Sequence, residues 1–360
     1  MAARIRVLAN PRVLTLLASL WLTQALAGPS PLFSDDWIVD VTIEAPLTTL
    51  MAERPDEEYL AARLIYDTSD DATVELDLKI RTRGQYRRDP DHCDFAPLRL
   101  NFRKGQVPGT LFDGQDKLKL VTHCRSKSTH FQQHVLREYL AYRFFAELTP
   151  ISFGVRLLNI TYIDTESGAT VTRPGFLIES AGHVARRNNL QVVDIRRIGY
   201  DQLDPKRQNL VHMFEYMIGN TEYSFVNPKP GKSCCHNADV LSATGGPPYL
   251  PLPFDFDFAG LVNAPYAQPN PRFPIDDVRK RFYKGLCANN ALLPETAQRF
   301  LAEHGDMITI VDRLEPLSRR SRLSVRNYLN TFVDRISDER SLERYFANKC
   351  LEPGELYRTQ

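Results

Sequence analysis

The most constraining stretch is a pair of short apolar runs around a glycine-proline reversal. Residues 238–243 lead into Gly245-Gly246-Pro247-Pro248, and the following run ends in Phe254-Asp255-Phe256-Asp257-Phe258. That pattern predicts a β-hairpin. A pivot at Gly246 places Asn237 opposite Asp255 across the ladder. On a strand, the alternation puts Phe254, Phe256 and Phe258 on one face and Asp255 and Asp257 on the other. Aspartate is disfavoured in strands, and two carboxylates on one face repel, so a cation is expected between them. An Asn and an Asp converging on one point suit a hard cation such as Mg²⁺. The alternative is that Asp255 and Asp257 pair with Lys or Arg and only join two elements.

Just upstream, residues 212–218 read as a helix stopped by Gly219. A turn through Asn220, Thr221, Glu222, Tyr223 and Ser224 follows, and then the His236-Asn237 pair.

Residues 1–27 have the pattern of an export leader. Arg4, Arg6 and Arg12 precede an apolar run at 13–22, and Ala25-Leu26-Ala27 offers a small-residue cleavage site. The run is too short to span a bilayer. Three of the 45 basic residues lie in this leader, leaving 42 against 44 acidic ones, a net charge of −2. Such a balance gives neither a nucleic-acid footprint nor a polybasic membrane surface. No later stretch is long and apolar enough to cross a membrane, so the mature chain is expected to be exported, to the periplasm or beyond.

Six cysteines in an exported chain predict disulfides. Spacing alone leaves the pairing open; the favoured one is Cys93–Cys124 and Cys287–Cys350. Adjacent Cys234 and Cys235 lack the two-residue spacing of a metal or redox pair.

Residues 28–36 read as a disordered lead-in. Strands are predicted at 38–43, 61–66, 73–81, 98–102 and 117–121, a helix at 129–145 containing Glu138, and paired strands at 155–164 and 174–179. Asp204-Pro205 opens another helix. Beyond Asp276 the pattern is helical, at 276–283, 294–304, 307–314, 318–337 and 338–346. A strand-rich part (37–180) therefore precedes a mostly helical one (181–360) that contains the 236–258 hairpin.

The order of motifs resembles the spore-coat CotH family of kinase-like proteins. It is carried by Arg81-Thr82-Arg83-Gly84, Leu98-Arg99-Leu100-Asn101-Phe102, Phe112-Asp113-Gly114, Lys117-Leu118-Lys119-Leu120, Ile178-Glu179, Gly219-Asn220-Thr221, His236-Asn237 and Asp255-Phe256-Asp257. The resemblance covers most of residues 37–263. It implies an α+β, bilobal protein-kinase-like fold that binds ATP and Mg²⁺. Lys119, or Lys117, would hold the α/β-phosphates and pair with Glu138. Arg83 and Gly84 would lie over the phosphates, and Glu179 beside the base. Asn237 with Asp255 or Asp257 would ligate the metal. Glu222 occupies the position where the family has an aspartate base, a departure that changes the reach of the carboxylate.

The function expected on this basis is phosphoryl transfer from a Mg-nucleotide to a hydroxyl on an unknown protein or small molecule. A catalytically weak or inactive binding or structural protein is the alternative. Metal-dependent hydrolysis through His236, Asp255 and Asp257 is a third, minor reading.

Overall fold

Seven strands with alternating inward side chains close into a barrel in the order β1-β2-β3-β4-β5-β7-β6. They are β1 (Val39–Ala45), β2 (Leu60–Asp67), β3 (Thr73–Thr82), β4 (Leu98–Phe102), β5 (Lys117–Val121), β6 (Val155–Asp164) and β7 (Thr170–Ile178). Neighbours are antiparallel except at the seam, where β1 runs parallel to β6 from Val39↔Leu158 to Ala45↔Asp164. The computed structural model describes residues 30–228 and 233–358, so the predicted leader at 1–27 lies outside them.

Closure follows from the pattern on the strands. Leu76, Leu78 and Ile80 on β3, Leu98 and Leu100 on β4, Leu118 and Leu120 on β5, and Leu158, Ile160 and Tyr162 on β6 are all buried. They form one apolar interior, and a closed sheet leaves no unpaired strand edge. This corrects the expected bilobal kinase-like organisation: the strand-rich half is a closed mixed barrel. The expected lead-in is also ordered from Ser30. Helix α1 (Pro31–Ser34) buries Leu32 against the barrel core, and the Leu32 carbonyl accepts from Arg156 Nε at 2.6 Å.

The remaining helices described are α2 (Leu47–Glu53), α3 (Thr129–Leu148), α4 (Ala181–Arg187), α5 (Pro205–Ile218), α6 (Leu293–Arg313), α7 (Arg319–Ile336), α8 (Glu339–Tyr345) and α9 (Pro353–Arg358). Helix α3 joins the two halves. It packs on β6 and β7 and, on its other side, on α6 and α7, so Leu136, Leu140 and Phe144 share a second core with Phe176, Phe214 and Phe300. Asp204 caps α5 by accepting from Arg207 N at 2.7 Å, and Gly219 ends it at φ 69°.

A small sheet, with β8 (Gln191–Val192), β9 (Ala238–Ser242) and β10 (Leu250–Pro253) in the order β10-β9-β8, lies against α5. The hairpin therefore exists, with two corrections. Pro253 pairs with Ala238 and Phe254 N bonds the Asn237 carbonyl, so Asn237 faces Phe254 and not Asp255. The strand also stops at Pro253, because Asp255 at φ 67° leaves the extended region. Residues 276–283 are irregular rather than helical, and α6 runs unbroken where two helices were expected. Disulfides join Cys93–Cys124, Cys287–Cys350 and the adjacent Cys234–Cys235.

Leu158 sits on the parallel seam with no exposed surface. Leu158→Ala is expected to cost about 2–5 kcal/mol in chemical denaturation, and an unchanged midpoint would argue against a packed barrel interior.

Candidate functional site

A cleft of about 640 Å³ opens where the loop after β3, the turn after α5 and the segment after β10 meet. Arg83, Gly84, Arg87, Glu222, His236, Asn237, Asp255 and Asp257 all line it. Six of these, Arg83, Glu222, His236, Asn237, Asp255 and Asp257, are sequence-predicted side-chain contributors brought together from four separate segments.

The loop after β3 turns at Gly84 (φ 82°) and is tied down by the Cys93–Cys124 disulfide. This folds Arg87 inward. Its Nη1 lies 3.1 Å from Glu138 Oε2 and 3.6 Å from Asp257 Oδ2, while Nη2 donates to the Thr122 carbonyl at 3.1 Å. Burial opposes the charge on Arg87, but Tyr266, Glu138 and the two aspartates together outweigh it and hold its pKa above the usual value. Glu138 responds differently. Burial, reinforced by Asp257 and Asp255, outweighs Arg87 and pushes its pKa up to about 8. Burial and the Asp255 charge push Asp257 up to about 6, partly offset by Arg87.

Phe256 anchors the segment that carries the aspartates. It is fully buried between Tyr142 and Phe214, with ring centroids 4.6 and 5.5 Å away. Asp255 adopts a left-handed conformation costing about 1–3 kcal/mol, and its N–H donates to Tyr142 Oη at 2.9 Å. Its carboxylate makes no hydrogen bond or ion pair among the described residues, and it lies within electrostatic reach of Arg83. Asp257, by contrast, accepts from Tyr266 Oη at 3.0 Å and pairs with Arg87.

The turn bearing Glu222 is held by side chains on every side. Its N–H donates to Asn220 Oδ1 at 2.9 Å, and its carbonyl accepts from Asn237 Nδ2 at 2.7 Å. The flanking carbonyls of Thr221 and Tyr223 accept from the buried Lys284 Nζ at 3.3 and 2.6 Å. Asn220 Nδ2 donates to Glu215 Oε2 at 3.0 Å. Glu222 Oε1 stands 3.8 Å from His236 Nε2. Beyond this pair lies a second cavity of about 540 Å³, which shares Glu222, His236 and Phe258 with the cleft.

Three predicted positions fall elsewhere. Lys119 has no ion pair with Glu138; its Nζ sits 4.1 Å above the Phe254 ring, and burial lowers its pKa, opposed by the charges of Asp239 and Asp255. Arg87, carried inward by the loop after β3, pairs with the glutamate instead. Lys117 is exposed near the far end of β5, paired with Asn101. Glu179 is buried in a structural network, accepting from Gly154 N at 2.9 Å and pairing with Arg187 at 3.1 Å. The group of three or more His, Cys, Asp or Glu side chains that would hold a metal alone is not found among the described residues.

Arg87, Tyr142, Tyr266 and Lys284 were not anticipated. In sequence Arg87 cannot be told from its neighbour Arg88, and the tyrosines and Lys284 lie in stretches with no local motif. No protein-family model matches the chain, and comparison with curated proteins returned no match.

Glu138 generates a pH prediction. Its pKa rises from 4.5 unfolded to about 8 folded, so the folded state binds the proton more tightly. Its stabilising contribution is complete below pH 4.5 and is lost as pH rises toward 8. The stability of the wild type minus that of Glu138→Gln should therefore fall across this window in urea titrations. A difference that is flat or rises with pH would show that Arg87 dominates Glu138 instead.

Proposed function

We propose that the protein is a phosphotransferase that moves a phosphoryl group from a Mg-nucleotide to a hydroxyl acceptor outside the cytoplasm. The observation that carries this reading is the meeting of Arg83, Glu222, Asn237 and Asp255 in one cleft. A closed barrel in place of a kinase-like lobe does not exclude it, since chemistry is carried by sites grafted onto folds. The three disulfides, and the absence of a membrane-crossing helix among the described residues, are compatible with export.

Two oxygen donors lining the same cleft support a magnesium reading. Asn237 commits its Nδ2 to the Glu222 carbonyl, which leaves Oδ1 as its coordinating atom. Asp255 offers a carboxylate with no competing partner among the described residues. Two such oxygens suit Mg²⁺, which keeps several waters and completes its shell with phosphate oxygens. Bound there, it would neutralise phosphate charge and polarise the transferred group. Asp257, held by Arg87 and Tyr266, supports the cluster from behind.

Arg83 contributes positive charge to the same cleft, and Gly84 leaves open space beside it where a phosphate can approach the backbone. Glu222 lines both cavities, and on this reading it would take the proton of a hydroxyl entering from the 540 Å³ side. General-base transfer needs that hydroxyl about 2.6–3.2 Å away, and the clamped turn holds the backbone from which Glu222 reaches it. Catalysis of this kind is mostly positioning and charge neutralisation.

Mg-ATP about a hundredfold above Kd should stabilise the wild type by about 2–3 kcal/mol in thermal unfolding. Asp255→Ala should abolish the shift. Glu222→Gln should retain it while lowering transfer to an accepted hydroxyl compound about 10²–10⁴-fold. No Mg-dependent shift in the wild type would overturn the reading, and a shift without transfer would leave a nucleotide-binding protein.

A further inference from the structure

We infer that Lys284 is a positioning residue for Glu222: it fixes the peptide units on either side of the base and so sets where the carboxylate reaches. This rests on the reading of Glu222 as the general base, and it brings into the site a residue about sixty positions further along the chain.

Glu222 lies outside any helix or strand, so no regular ladder of backbone hydrogen bonds fixes it. Side chains do that work. Its N–H donates to Asn220 Oδ1, and its carbonyl accepts from Asn237 Nδ2. The carbonyls before and after it, those of Thr221 and Tyr223, both accept from Lys284 Nζ at 3.3 and 2.6 Å. One ammonium therefore holds both neighbours of Glu222 at once. An ammonium has three donors and no acceptor, which suits two converging carbonyls. Tyr223 is held again at its side chain: its ring lies 3.9 Å from Lys284 Nζ, and its hydroxyl is 2.8 Å from His212 Nδ1 on α5.

The cost of this arrangement argues against a space-filling role. Lys284 is 1% exposed, and lysine is almost never fully buried without partners. Burial pulls its pKa down to about 7, opposed by Glu215 and reinforced by the charge of Arg272. A methionine would fill similar space with no charge to desolvate. It could not donate to the two carbonyls.

The chain around Lys284 is itself anchored. Tyr283 is buried and donates to Asn209 Oδ1 on α5 at 3.2 Å. On the other side, the Gly285 carbonyl accepts from Leu351 N at 2.9 Å, and the Cys287–Cys350 disulfide closes the same junction. The lysine thus reaches the turn from a segment fixed both to α5 and to the C-terminal part of the chain.

Phosphate release from Mg-ATP to water is the probe, because water is a hydroxyl acceptor that needs no identified substrate. Lys284→Met should lower kcat about 10²-fold, the usual cost of a misplaced group. Its KM for Mg-ATP and its Mg-ATP thermal shift should stay at wild-type values. Lys284→Arg should recover part of the loss by restoring donors to the two carbonyls. The double variant Lys284→Met/Glu222→Gln should be no slower than Glu222→Gln, since a residue acting through the base adds nothing once the base is gone. Additive losses, a change in KM alone, or wild-type kcat in Lys284→Met would each overturn the assignment. Hydrogen exchange of the full chain tests the anchoring apart from catalysis. The amides of residues 220–224 should exchange faster in Lys284→Met than in the wild type, and unchanged exchange there also overturns it. A wild type that neither releases phosphate nor shifts with Mg-ATP would sink the phosphotransferase reading instead, with the exchange result still deciding whether Lys284 holds the turn.

Discussion

Arg87 reaches from the loop after β3 to a glutamate on α3 and an aspartate beyond β10, and this one buried contact ties three distant parts of the chain together. A guanidinium flanked by carboxylates in a poorly hydrated setting is costly to assemble, and removing one partner leaves an unmatched charge that costs about 3–5 kcal/mol. The surrounding structure spreads that cost. Tyr266 bonds Asp257, the Thr122 carbonyl takes a second Arg87 proton, and Cys93–Cys124 limits where the loop can go. The cleft owes its shape to this cluster, since the same segments supply Arg83 and Asp255.

The barrel and the helices meet along α3, whose two faces serve the two cores. One side lies on β6 and β7 and the other on α6 and α7. Glu138 projects from this shared helix, so the charge cluster is fixed relative to both halves at once. Asp255 gains its accessibility from the same arrangement: Phe256 is pinned between Tyr142 of α3 and Phe214 of α5, and the left-handed turn at Asp255 presents a carboxylate that its neighbour Asp257 cannot.

Much of the local structure was legible from short-range pattern. The alternation in β3, the Asp204-Pro205 start and Gly219 stop of α5, and the strands at 98–102, 117–121 and 155–164 are all found. These depend on periodicity and on cap chemistry, which act over a few residues. The hairpin was legible as a reversal but not in register. The real turn shifts the pairing by one residue, enough to set Asn237 against Phe254. The predicted Lys119–Glu138 pair failed for a related reason: which cation reaches a buried carboxylate depends on loop path, and the loop after β3 carries Arg87 to it.

By itself the sequence determined where most barrel strands lie, where α5 starts and stops, and which strand side chains face inward. Those properties follow from local propensity and from the spacing of apolar residues. Barrel closure was decided only in three dimensions, because β1 and β6 pair across more than a hundred residues of intervening chain. So was the allocation of charge, which left Asp257 paired with arginine and the Asp255 carboxylate without an ion pair among the described residues. Electrostatic partnership depends on distance and burial, and neither exists until the cores have packed.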